Sequence, residues 1–273
     1  MLNLSIFIWR GECQVEPMHV VTTSSNLFAK QTGVMMQSLL ENLSLYKNIC
    51  IYVLYGRLSN ENQWKLQRIA DQFNHNIKFI LMDDSLYEGC RKGRRLRLEA
   101  YYRLSIPDVI SEKINKVLYL DSDIIVQEDI SSLWDTSLGD FFAAAVQDPG
   151  AEKFQRYKVL SIPHSNGYFN SGVMLINLEQ WRAGEISKKV LEFIKGNPRK
   201  VLLLDQDGLN VILQGKWLNL DPKWNYQTAH FGKLFTKPAI IHYTTAKKPW
   251  KHQHPLSAPY LKYSSKVIWS DHD

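Results

Sequence analysis

The sequence predicts an α/β protein in which a mostly parallel central sheet is flanked by helices. Three observations predict it. Strand-length apolar or β-branched runs alternate with amphipathic helix-length stretches through the first third of the chain, as parallel crossovers require. Some of these runs are continuously apolar, the mark of strands buried on both faces. With 273 residues, 45% hydrophobic and 22% charged, the chain can bury such a core and is too apolar to be disordered.

The elements follow in order. Residues 19–23 are a β-branched strand stopped by a Ser-Ser-Asn cluster. Val34, Met35, Ser38, Leu39 and Leu43 share one broad helical face. Residues 48–55 form an apolar strand, residues 59–73 a helix and residues 77–82 a third strand. Residues 89–103 are rich in Arg and Lys, then turn aromatic at Tyr101 and Tyr102, and Pro107 closes that helix. The strand opening at Lys116 ends abruptly in Asp121 and Asp123. Residues 141–146 and 172–177 predict two further strands, and residues 178–194 one helix with Trp181, Val190 and Ile194 near one face. Asp205 reads as the N-cap of a helix backed by Leu209, Ile212 and Leu213, and residues 239–242 as a last short strand. No repeat or linker intervenes, so one domain over 18–250 is expected between an N-terminal tail, 1–17, and a basic, aromatic C-terminal tail, 251–273.

A net charge of +6 favours anionic small partners such as nucleotides and phosphates, and equally serves solubility. Cys13, Cys50 and Cys90 lack C-x-x-C spacing, which argues against a disulfide framework or zinc site and for a reducing compartment. No apolar run approaches the roughly 20 residues a membrane span needs. Residues 2–9 are apolar but have neither a basic flank nor a small-residue cleavage site, and Met18 offers an alternative start. The expectation is a cytoplasmic protein without a nucleic-acid partner. The basic run 91–95 and the Lys/Trp/Tyr tail are available to an anionic acceptor or the inner membrane face, or are merely solvated.

The sharpest local feature is Leu118-Tyr-Leu-Asp121-Ser-Asp123-Ile-Ile-Val126. Ligands of open parallel sheets bind outside the carboxyl ends of the strands, where this pair lies. Two carboxylates there suit a hard divalent cation, which can bridge a diphosphate and absorb its charge as it leaves. The duller alternative is a pair of helix caps. A haloacid-dehalogenase-type phosphatase also uses two aspartates after an apolar strand. It needs Thr or Val two residues after the second, whereas Val126 is three away. Asn170, Asp205, Gln206 and His242 are further polar residues at predicted element ends, Lys248 lies in the segment after the last strand, and each alone also has a structural explanation.

Taken together, Ala100-Tyr-Tyr-Arg103-Leu, Val117-Leu-Tyr-Leu-Asp-Ser-Asp123, Leu133-Trp134, Tyr168-Phe-Asn-Ser-Gly-Val-Met-Leu-Ile-Asn177, Trp181-Arg182, Asp205-Gln-Asp-Gly-Leu-Asn210 and His242-Tyr-x5-Pro249-Trp250 resemble, in order, the retaining glycosyltransferases of family eight. The resemblance runs from about Met18 to Trp250. It is strongest to the branch holding bacterial lipopolysaccharide galactosyltransferases and the general stress proteins of Gram-positive bacteria, and weaker to glycogenin. It implies a GT-A nucleotide-diphospho-sugar transferase fold, a UDP-sugar donor, a glycan or glycolipid acceptor, and Mn²⁺ with Mg²⁺ as the alternative. By position, Asp121, Asp123 and His242 resemble the metal ligands. Lys248, with Thr245 near it, resembles the diphosphate contact. Arg103, Asn170, Asp205 and Gln206 resemble the shell around the donor sugar, with Gln206 beneath the reacting carbon. Thr23, Ser25, Phe28 and Ser122 fall on the nucleotide side.

Two departures stand out. The family's usual Ala-Asp-Asp-Asn-Tyr is Ser24-Ser-Asn-Leu-Phe28 here, so Ser25 replaces an acid expected on the base and Phe28 a stacking tyrosine. Thr245 stands where glycine is common, and either crowds the diphosphate or bonds to it. These departures leave a non-catalytic nucleotide-sugar binder as the rival reading.

Overall fold

The computed structural model describes residues 16–44, 48–91, 98–230, 232 and 237–269. The tail residues 1–15 and 270–273, Cys13, the apolar stretch 2–9 and most of the basic run 91–95 lie outside them. β1 (Met18–Ser24), α1 (Ala29–Glu41), β2 (Ile49–Tyr55), α2 (Asn60–Gln72) and β3 (Asn76–Leu81) form the expected alternation, and β1 pairs in parallel with β2, as β2 does with β3. Ser59 starts α2 by accepting from the Asn62 amide at 3.2 Å, a side-chain N-cap. A 3-10 helix, Leu98–Ser105, buries Tyr101, Tyr102 and Arg103 and runs into α3 (Ile106–Val109), which carries Pro107 in its first turn.

Next come β4 (Lys116–Leu120), β5 (Ile124–Val126), α4 (Ser131–Trp134), β6 (Ala143–Gln147), α5 (Gly150–Lys153), α6 (Arg156–Leu160) and β7 (Phe169–Asn177). α7 (Leu178–Ala183) and α8 (Ile186–Gly196) occupy the stretch expected as one helix. The chain breaks between them at Gly184 and Glu185, whose positive φ of 49° no helix accommodates. α9 (Asp205–Ile212), β8 (Trp217–Asn219), β9 (Tyr226–Gln227), β10 (Ile240–His242) and α10 (Ser257–Ser264) complete the elements.

The strands form a seven-stranded sheet in the order β3-β2-β1-β4-β7-β6-β8 and a small sheet β5-β10-β9. The large sheet is mainly parallel. β7 alone runs against its neighbours β4 and β6, so β6 and β4 point the same way and their carboxyl ends share one edge. Apolar side chains from both faces are buried. On one side α1 and α2 pack with the small sheet and Tyr260, Tyr263 and Trp269; on the other lie α7, α8, α9 and the 98–105 helix. The segment read as a C-terminal tail thus contributes a helix with two buried tyrosines. Gly33 on α1 leaves room for the Trp269 ring, which a Cβ there would meet at 2.5 Å. Among the described residues no helix is long and apolar enough to cross a membrane.

Candidate active site

β4 belongs to the large sheet and β5 to the small one, and Asp121, Ser122 and Asp123 are the crossing between them. The Asp121 amide donates to Gly172 O at 2.9 Å and extends the β4–β7 ladder. The Tyr243 amide donates to Asp123 O at 3.0 Å and extends the β5–β10 ladder. Each acid is therefore held by a sheet. His242 ends β10 in register with Ile124, which brings its ring to the same spot. Its Nε2 lies 3.6 Å from Asp121 Oδ2 and 3.3 Å from Asp123 Oδ1, and ligand atoms of the three residues fall within 4.8 Å of one another. Gly172 closes the floor: a Cβ there would stand 2.2 Å from His242 Cε1 and 2.7 Å from Asp121 Oδ2. Two carboxylates and an imidazole make an oxygen–nitrogen set that fits a divalent ion such as Mn²⁺.

Charge is balanced around this cluster. Buried Arg103 donates from Nη2 to Asp121 Oδ1 at 2.9 Å, pairs through Nε with Asp205 Oδ2 at 3.0 Å, and donates to Ser171 O. Its guanidinium carbon lies 4.3 Å over the Tyr119 ring. Burial opposes the Arg103 charge, but Asp121 and Asp205 outweigh burial and keep it protonated. Burial also raises the Tyr119 phenol well above its usual range despite Arg103, so it remains a donor, here to Asp121 Oδ1 at 2.8 Å. Lys248 Nζ reaches Asp123 Oδ2 at 2.5 Å and Tyr243 O. Burial pushes the Asp123 carboxyl up, but Lys248 and His242 overcome that and hold it below the ordinary range. Asp205 goes the other way: burial, with Asp121 near, lifts it to about 6 against the pull of Arg103.

Asp205 is not the expected cap. Leu204, in a strained backbone conformation with φ 50°, occupies the N-cap of α9, and Asp205 begins the helix proper. Its carboxylate accepts instead from Ser171 Oγ at 3.1 Å and pairs with Arg103, interactions stronger than a local cap. Asp207 does the anchoring. It accepts from the Leu202 and Leu203 amides, from Tyr168 at 2.7 Å and from Arg156 at 3.1 Å, so the loop entering α9 is tied down. Gln206, next in α9, donates from Nε2 to Asp148 Oδ2 at 2.9 Å, and its Oε1 accepts from Asn170 Nδ2 and the Ser171 amide, both at 3.2 Å.

Two adjoining hollows share Ala100, Arg103, Asp121 and Asp123. The smaller, about 140 Å³, is lined by Thr23, Ser25, Phe28, Glu99 and Ser122. The larger, about 520 Å³, holds Asn170, Asp205, Gln206, His242, Thr245 and Lys248, with Asp148, Lys153, Phe154 and Gln227. All thirteen residues singled out from sequence thus line one continuous cleft. The Thr245 hydroxyl donates to Lys247 O at 3.0 Å, within its own turn. Another hollow of about 550 Å³ at the β8 edge brings only Asp140 and Lys216 as charged groups, so it lacks comparable chemistry. Sequence reasoning missed Glu99, Asp148, Gly172 as a floor, and Asn225, whose Oδ1 lies 3.0 Å from His242 Nδ1. Asp148 carried a usable signal: it is an acid two residues past the predicted strand 141–146, at the same edge as Asp121.

The chain is similar to known proteins over most of its length. Residues 19–254 match the family model described as glycosyl transferase family 8. General stress protein A of Bacillus subtilis is 36% identical over 275 aligned positions, covering 93% of this chain and 96% of the relative. The lipopolysaccharide 1,3-galactosyltransferase of Salmonella typhimurium is 29% identical, over 82% of this chain and 71% of its own. Among solved structures, the galactosyltransferase LgtC in complex with donor and acceptor sugar analogues superposes with a TM-score of 0.84 at 24% identity, covering 93% of this chain and 97% of that one. That likeness shows the GT-A fold.

Proposed function

Because this chain belongs to glycosyl transferase family 8 and is a glycosyltransferase, we propose that it moves a hexose, glucose or galactose, from a UDP-sugar to a glycan or glycolipid with retention at C1 and dependence on Mn²⁺. The observation that carries the reading is the convergence of Asp121, Asp123 and His242 within 4.8 Å, at the junction of two hollows and beside Lys248. Mg²⁺ is the alternative ion. Free, buried Cys50 and Cys90 suit a reducing, cytoplasmic setting.

The smaller hollow takes the nucleotide. Phe28 offers a ring face to the base, and Thr23, Ser25 and Ser122 offer hydroxyls, while Glu99 supplies a carboxylate where Ser25 has none. When bound, the divalent cation stabilises charge developing on the departing diphosphate. Lys248 is a flexible point charge that leaves Asp123 for a phosphate oxygen. Arg103 stays charged between Asp121 and Asp205, orients both, and offsets their repulsion. Asp205, Gln206 and Asn170 line the larger hollow, which takes the donor sugar and the acceptor.

Gln206 supports the reacting carbon electrostatically and forms no covalent bond. An amide oxygen is weakly basic, and this one already accepts two hydrogen bonds, from Asn170 and Ser171. The acceptor hydroxyl then approaches from the face the leaving group vacates, and C1 keeps its configuration. UDP-hexose turnover with and without Mn²⁺, with the product anomer read by NMR, tests this. Asp123→Ala abolishes turnover and leaves the circular dichroism spectrum unchanged. Turnover independent of divalent ions, an inverted product, or a trapped adduct on Gln206 or Asp205 contradicts the mechanism.

A further inference from the structure

We propose that Asn225, through a chain of buried amides, holds His242 in the tautomer whose bare Nε2 faces the acid pair, making Asn225 a positioning residue for the cation. The proposal rests on the metal reading above and adds a residue to it. His242 Nδ1 lies 3.0 Å from Asn225 Oδ1, and Asn225 Nδ2 lies 2.9 Å from Asn170 Oδ1. Asn225 is fully buried, so no solvent can substitute for either contact.

The polarity of this chain is assigned by its two unambiguous ends. At one end Gln206 faces the Asp148 carboxylate, which only accepts, and the Ser171 amide, which only donates. Gln206 Nε2 therefore points to Asp148 and Oε1 to Ser171, so Asn170 must present its Nδ2 to Gln206. The Gly172 amide, donating at 3.0 Å, independently requires Asn170 Oδ1 on the other side. Asn225 must then give its NH₂ to Asn170 and its oxygen to His242. A reversed Asn225 would set two carbonyl oxygens against each other at 2.9 Å in a buried site, with neither finding a donor.

With its oxygen facing the imidazole, Asn225 accepts a hydrogen bond from Nδ1–H, and the neutral ring then carries its lone pair on Nε2. That lone pair meets the Asp123 and Asp121 carboxylates at 3.3 and 3.6 Å. Three electron-rich atoms converge, which is the arrangement a cation needs. The opposite tautomer would spend Nε2–H on Asp123 and leave Nδ1 against a carbonyl oxygen. Outer partners that fix a ligand histidine in this way typically contribute 10–100-fold to metal affinity.

The test has two arms. In the metal-free native protein, ¹⁵N-histidine spectra, with His242 assigned through His242→Gln, should show a proton kept on Nδ1, hydrogen-bonded to Asn225. A bare Nδ1 facing Asn225 overturns the proposal. In the second arm, Mn²⁺ binding is measured by calorimetry. Asn225→Leu, which removes the acceptor towards Nδ1, should weaken it about 10–100-fold. A folded Asn225→Leu that binds Mn²⁺ as the native protein does also overturns it. If Asn225→Leu does not fold, the native spectrum still decides. If the native protein binds no Mn²⁺, the metal reading fails, and the tautomer is judged from the metal-free spectrum alone.

Discussion

Gly172→Ala should separate the site from the fold. The added Cβ would lie 2.2 Å from His242 Cε1, and 2.7 Å from both His242 Nδ1 and Asp121 Oδ2. Reaching an ordinary carbon–carbon contact requires a shift of about 1.2 Å at the imidazole. The strand cannot give way, because Gly172 O accepts from Asp121 N at 2.9 Å and Gly172 N donates to Asn170 at 3.0 Å. The ring and the carboxylate must move instead, and ligand distances in metal sites hold to about 0.2 Å. Overpacking at one site costs the fold about 1–3 kcal/mol, so the variant still folds. Urea unfolding with and without Mn²⁺ reads both effects. At about 100 times the dissociation constant, Mn²⁺ should stabilise the native protein by about 2.7 kcal/mol and leave Gly172→Ala unchanged. A folded Gly172→Ala that Mn²⁺ stabilises as much as the native protein would refute the steric argument.

Asp205 makes the metal-free fold pH-sensitive in a defined direction. Its pKa is raised from 3.8 to about 6, so the folded state binds the extra proton and this contribution falls as pH rises. Between about pH 5 and 7.5 the native protein should lose about 1.4 kcal/mol relative to Asp205→Asn. Urea unfolding of both at the two pH values checks it, and parallel stabilities would contradict it. Trp269→Ala tests whether the C-terminal segment is part of the domain. The indole packs on Gly33, donates to Asn62 Oδ1 at 2.8 Å and is 7% exposed, so truncation should cost about 3–5 kcal/mol in chemical denaturation. An effect below about 1 kcal/mol would mean the segment merely rests on the surface.

The parts legible in the sequence are those where a local pattern has one physical meaning. The apolar run 117–120 has strand length and no helical stripe, and acids directly after it must leave the core, so the pattern of residues locates Asp121 and Asp123 at a strand end. The direction of β7 is not legible, since an apolar run reads the same in parallel and antiparallel pairing. The break between α7 and α8 rests on a single left-handed residue, Glu185, of a type with no preference for that conformation. Asp205 has the composition of a cap, but its contacts with Arg103 and Ser171 come from distant segments and override the local preference. Tyr260 and Tyr263, three apart on one helical face, read as a tail because neighbouring lysines mask the apolar stripe. Asn225 belongs to no motif, and only the meeting of β10 with the segment before β9 gives it a partner.

Catalysis as proposed depends on Asp121, Asp123 and His242 holding a divalent cation against the donor diphosphate. Crystals grown with Mn²⁺ and UDP, measured at a wavelength where manganese scatters anomalously, test it directly. One strong anomalous peak is expected, bonded to a carboxylate oxygen of each aspartate and to His242 Nε2, with Lys248 Nζ moved from Asp123 to a phosphate oxygen. UDP bound in the cleft without that peak, or a peak held by other side chains, would contradict it.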